Sequence, residues 1–90
     1  HNINMDDRLT KAYQYILERN YGFSSDFIEA NDEKTYEALR TIGYISIGHD
    51  ADMNERWKLT DFGHYQVETS LKTRQLNIDF EMLNRLLRDE

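Results

Sequence analysis

Residues 36–63, YEALRTIGYISIGHDADMNERWKLTDFG, decide how this chain folds. Tyr36, Leu39 and Ile42 recur at three-residue steps, the period that places apolar side chains on one face of a helix. Gly43 then stops the helix, because a residue without a Cβ enters the left-handed conformation of a helix C-terminus without a steric penalty. Tyr44, Ile45 and Ile47 follow as a β-favouring run. The polar stretch from Gly48 to Arg56 separates them from Trp57 and Leu59, which alternate around Lys58, so the segment predicts a β-hairpin with a long loop. Thr60 and Asp61 are suited to cap a further helix, along which Gly63, Val67 and Leu71 share one side. Gly63, having no side chain, allows that helix a close approach to its neighbour.

Upstream, Leu9, Ala12, Tyr13, Ile16 and Leu17 mark an amphipathic helix over Asn4 to Arg19, with Asn4 or Asp6 as N-cap and a stop near Asn20 and Gly22. Ser24, Ser25 and Asp26 offer a cap for a short helix carrying Phe27 and Ile28 to about Ala30. Asn31 and Asp32 then offer a cap for the helix that ends at Ile42. Downstream, the helix after Thr60 is expected to end between Thr73 and Asn77. Asp79, preceded by Ile78 and followed by Leu83, has the spacing of a cap with a hydrophobic staple. The expected class is mainly α with a small β-hairpin (α+β) and a short C-terminal helix. With no proline, repeat or low-complexity tract, residues 1–90 are read as one domain, core about 5–76 and terminal helix about 79–88.

Two groups of residues sharpen this order. Tyr36, Leu39, Gly43, Tyr44 and Ile45 look like the recognition-helix ending of the winged helix-turn-helix group, including MarR- and PadR-like bacterial regulators. Leu59, Thr60 and Gly63 are similar to the step by which that group's second wing strand enters the next helix. The resemblance covers roughly Leu9 to Leu71. It implies a bacterial or phage regulator that binds double-stranded DNA, with the helix from Asp32 to Ile42 in a major groove. The candidate DNA contacts are Lys34, Arg40, Arg56 and Lys58, with Ser24, Ser25 and Thr35 as neutral partners for phosphate or bases.

Charge runs against this implication. The chain has 11 basic and 17 acidic residues, a net charge of −6, whereas neutralising phosphates needs clustered cations. The segment from Ser24 to Gly43 holds five acids against two bases, and the hairpin adds Asp50, Asp52 and Glu55 against Arg56 and Lys58. The rival expectation is therefore a winged-helix module that binds another protein, such as a basic one, through its acidic helix face.

Other chemistry has weaker support. Asp50, Asp52 and Asn54 have the alternate-oxygen spacing that opens a calcium loop, but Glu55 stands where its sharp turn needs glycine, so a polar wing tip is expected and no cation. His49 and His64 are fifteen residues apart with no cysteine in the chain to complete a zinc set. No nucleophile, base and acid set, phosphate loop or flanked carboxylate pair emerges, so neither catalysis nor a cofactor is expected. The absence of cysteine fits a reducing compartment, and no apolar run reaches the roughly 18 residues of a membrane span; the expectation is a cytoplasmic protein without membrane contact. In the tail, Phe80, Met82, Leu83, Leu86 and Leu87 exceed what a lone terminal helix buries. Either a second subunit covers them, as the resemblance implies for a dimer, or the helix folds back on the first helix of its own chain.

Overall fold

The computed structural model of the chain describes residues 3–73 and 78–88, with side chains over 7–72 and 82–88. Helix α1 (Ile3–Arg19) is followed by strand β1 (Tyr21–Phe23), helices α2 (Ser24–Asn31) and α3 (Glu33–Thr41), strands β2 (Ile45–His49) and β3 (Glu55–Leu59), and helices α4 (Asp61–Thr73) and α5 (Ile78–Arg88). The fold is mainly helical with a small antiparallel sheet, as expected. The sheet gains a strand over the hairpin read from sequence: its order is β1-β3-β2, with Tyr21 opposite Lys58 and Phe23 opposite Arg56.

Of the α1 residues at the expected core spacing, Leu9, Ala12, Tyr13 and Ile16 are buried and Leu17 is half-buried against them. The helix starts at Ile3, so Asn4 and Asp6 lie inside it and neither is its cap. It ends where Asn20 turns left-handed at φ 69°. The α2 cap differs as well: Phe23 occupies the position and makes no side-chain cap bond. Between α2 and α3 stands a single residue, Asp32, at φ 124°. Its carboxylate accepts from the Thr35 N–H at 2.7 Å and caps α3 as the sequence predicts.

Gly43 has φ +86°, the left-handed stop expected after α3. The joint into α4 also follows the sequence reading. The Thr60 hydroxyl accepts from the Gly63 N–H at 2.9 Å and donates to the Gly43 carbonyl at 2.7 Å. A Cβ on Gly63 would overlap the Tyr44 carbonyl oxygen and come within 2.7 Å of the Tyr44 Cα, so this corner closes only around glycine. The neighbour it approaches is the backbone entering β2.

The core is aromatic. Phe27 meets Trp57 edge-on at 5.4 Å between ring centres and Tyr36 at 5.2 Å, while Tyr13 lies 6.0 Å from Tyr44. Offset and edge-on contacts of this kind are the favourable aromatic arrangements. Helix α4 packs on α1, and α5 packs on α3. Leu83 and Leu87 are enclosed by their own chain, at 0% and 1% exposure. Of the two alternatives, a second copy or a fold back within the chain, these two residues follow the second, with α3 as the surface beside them; Leu86 is half-buried, Met82 is exposed, and the Phe80 side chain lies outside the described ones. Helix α5 begins at Ile78, one residue ahead of the expected cap Asp79. No helix among the described residues is long and apolar enough to cross a membrane.

Candidate functional site

The α3 helix presents Glu33, Lys34, Glu37, Arg40 and Thr41 to solvent. Its opposite face buries Tyr36 and Leu39 in the core, which follows from the three-residue apolar spacing. The flank with Lys34, Ala38 and Thr41 faces Leu86 of α5 across a shallow depression that Glu37 also lines. Arg40 is not available as an isolated cation. Its Nη2 lies 2.7 Å and its Nε 3.1 Å from the Glu37 Oε1, a surface pair spaced three residues apart on the helix. What remains outward on α3 is the carboxylate of Glu33, the ion pair of Glu37 and Arg40, and Lys34.

The N-terminus of α3, the part that would approach base edges in a groove-binding helix, is filled from within the molecule. Arg8 of α1 reaches across with Nη2 at 3.0 Å from Asp32 Oδ1, and its Nε lies 3.1 Å from both Asp32 Oδ2 and the Thr35 hydroxyl. Burial works against the Asp32 carboxylate, but the Arg8 guanidinium and the Thr35 N–H outweigh it and hold its pKa below the ordinary value. Thr35 is fully buried by this arrangement. Its assignment as a base or phosphate contact is therefore corrected: its hydroxyl is an acceptor for Arg8.

Ser24 is corrected for the same reason. It is 4% exposed, and its hydroxyl bonds to that of Tyr36. Tyr36 in turn donates to Glu55 Oε2 at 2.7 Å, making a chain from α2 through α3 to β3. Burial, opposed by the Ser24 bond and reinforced by the Glu55 carboxylate, pushes the Tyr36 phenol up to about 12. A phenol that stays protonated and donates to a carboxylate is no base for Ser24, so the chain ties three elements together and activates no nucleophile. Ser25, by contrast, is exposed at the start of α2.

At the hairpin tip, Asp50 organises the turn. Its Oδ1 accepts from the N–H of Asp52 at 2.9 Å and of Asn54 at 3.0 Å, and its Oδ2 lies 3.4 Å from Arg56 Nη1. The Asn54 bond leads in holding its carboxyl below the usual range. Such a carboxylate closes the turn between β2 and β3, and among the described residues no group of three or more His, Asp or Glu side chains could hold a metal. Arg56 also lies over the Phe23 ring, 4.2 Å from its centre, while Lys58 is exposed.

Of the seven candidate DNA contacts, the structure leaves Ser25, Lys34 and Lys58 at the surface, pairs Arg40 and Arg56 with acids, and encloses Ser24 and Thr35. Lys34 and Arg40 share α3, whereas Arg56 and Lys58 stand on β3. Sequence reasoning missed Arg8, Tyr21 and Phe23. Arg8 carries no local signal, since its partners are 24 and 27 residues away. Comparison with known protein families, with curated proteins and with solved structures finds no match.

Proposed function

We propose that the domain is a winged helix-turn-helix that serves as a protein-interaction module, offering the acidic face of α3 to a basic segment of a partner. The winged-helix part rests on the order helix, strand, two helices, two strands, together with the Gly43 and Thr60–Gly63 joints. The observation that carries the interaction part is the charge balance: Arg40 is bonded to Glu37 and Lys34 no more than matches Glu33, so the face that would otherwise meet phosphates has no positive surplus, and the segment from Ser24 to Gly43 that frames it holds five acids against two bases. A surface with that balance repels a polyanion and steers a polycation.

The test is an anisotropy titration of a labelled lysine- and arginine-rich peptide and, separately, of a labelled random duplex, both at low salt. The peptide binds, and Glu33→Gln with Glu37→Gln weakens it; the duplex does not bind at micromolar protein. Duplex binding that falls steeply with salt and is lost in Lys34→Ala would overturn the proposal.

A DNA-binding regulator is the second reading. It is favoured by Arg56 and Lys58, which stand two residues apart on the same face of β3, where a wing could meet a phosphate backbone. For that reading Arg56→Ala and Lys58→Ala must each weaken duplex binding and flatten its salt dependence.

A further inference from the structure

The strand that the sequence did not reveal changes what the sheet exposes. Its register puts Tyr21, Lys58 and Ser46 in one row and Phe23, Arg56 and Gly48 in the next. Because strand side chains alternate, these six residues share the face turned away from the core, while Trp57, Ile45 and Leu59 are buried beneath. Tyr21 is 64% and Phe23 40% exposed. In a chain with 17 acidic residues, this face holds two aromatic rings, two cations and no carboxylate.

We propose that the outer face of the sheet is a binding platform for single-stranded nucleic acid, with Tyr21 and Phe23 as stacking surfaces and Lys58 and Arg56 as phosphate contacts. The two rings stand two positions apart on β1, roughly 7 Å, so successive unstacked bases of an extended strand each meet one. Exposed aromatics on a small sheet, flanked by cations, are the general means of holding single strands without reading sequence. Arg56 adds a second planar surface, since its guanidinium already lies over Phe23 and guanidinium planes also stack on bases. Asp50 competes for Arg56 at 3.4 Å, which leaves Lys58 as the stronger phosphate contact.

Charge sets the direction of the bound strand. The cleft beside the free edge of β1 is bordered by Glu18 and Asp26 as well as Arg19. The backbone therefore lies alongside the rings on the β3 side, over Lys58 and Arg56 and away from that cleft. A rigid duplex presents its bases stacked and edge-on, so it cannot use the rings. This surface is separate from the α3 face, and its test succeeds or fails independently of the peptide assay.

The experiment is an anisotropy titration of a labelled oligothymidylate and of a duplex of equal length at low salt. The single strand binds more tightly than the duplex. Tyr21→Leu and Phe23→Leu, which keep an apolar side chain but remove the ring, each weaken it by about 5- to 150-fold, the range of one base stack. Lys58→Ala lowers the salt slope by roughly 0.7, one single-strand phosphate contact. Circular dichroism melts verify that each variant folds; should Phe23→Leu not fold, Tyr21→Leu and Lys58→Glu carry the test, since both side chains are exposed. No binding of the single strand at about 0.1 mM protein, tighter binding of the duplex, or unchanged binding in folded ring variants would each overturn the proposal.

Discussion

Replacing Gly63 by alanine adds one methyl group where the backbone leaves no room for it. The added carbon would overlap the Tyr44 carbonyl oxygen and stand 2.7 Å from the Tyr44 Cα and 2.8 Å from its carbonyl carbon. These are main-chain atoms that no rotamer change can move. Tyr44 is itself fully buried, and its carbonyl accepts from the Thr60 N–H at 3.0 Å and the Thr60 hydroxyl at 3.1 Å. Relief therefore needs α4 to move off the β2 entrance as a body, disturbing the Thr60 cap and the contact of Phe62 with Tyr44. Overpacking costs typically 1–3 kcal/mol, and an immovable neighbour places this case at about 3 kcal/mol or more. A domain of this size has roughly 5–13 kcal/mol in all. The melting temperature should fall by roughly 12–24 °C, at about 4–8 °C per kcal/mol. Thermal and urea denaturation followed by circular dichroism measure this, with Gly48→Ala as the control. Nothing lies within 4 Å of a Cβ at exposed Gly48, so that variant should be neutral or more stable by up to about 1 kcal/mol. If Gly63→Ala melts within about 3 °C of the wild type, the close approach of α4 to Tyr44 is wrong.

Thr60→Ala removes the acceptor for the Gly63 N–H and should cost about 1 kcal/mol in a urea melt, whereas Thr60→Ser should retain most of it. Tyr36→Phe removes the hydroxyl that bonds both the buried Ser24 and Glu55 and should cost about 1–3 kcal/mol. Because burial and the Glu55 carboxylate push the folded Tyr36 phenol up to about 12, above the ordinary value of 10, its contribution is complete below pH 10 and lost as pH rises toward 12; the absorbance titration of Tyr36→Phe should lack one late phenolate step. Asp32 behaves in the opposite sense. Its folded pKa is depressed, so its contribution is present above an unfolded value of about 3.9 and lost as pH falls through the folded one. Melting temperatures should drop on acidification below that value, and Asp32→Asn should flatten part of the drop without abolishing it, since Asp50 and Glu55 are depressed too.

What could be read from the sequence was local. The left-handed stop at Gly43 and the Thr60 cap on the Gly63 N–H act within one turn of themselves, and at Gly63 the missing side chain alone signals a close approach, though not that Tyr44 is the neighbour. The core spacing of α1 and α3 was equally visible because helical period needs no knowledge of the partner surface. Strand β1 was not visible: three residues with glycine at the centre have no period to detect, and the strand exists only because β3, 35 residues away, pairs with it. Ser24 and Thr35 look like surface residues from their type. Each is enclosed by one long side chain arriving from elsewhere, Tyr36 in one case and Arg8 in the other. The apolar tail was recognised, but composition cannot say which surface covers it; the structure places Leu83 and Leu87 in the core of the same chain, on the side of α3. The acidic balance of the segment from Ser24 to Gly43 was legible as a count. That Arg40 is tied to Glu37 required coordinates.

The central claim, that the outward face of α3 receives a basic polypeptide, is tested most directly by amide chemical shifts. The nitrogen-15-labelled protein would be titrated at low salt with a lysine- and arginine-rich peptide and, in a parallel sample, with duplex DNA. The account predicts shifts at Glu33, Glu37 and Arg40 on adding peptide, reversed by salt, and no shift at those amides on adding duplex. Saturable shifts along α3 with duplex, and none with peptide, would contradict it.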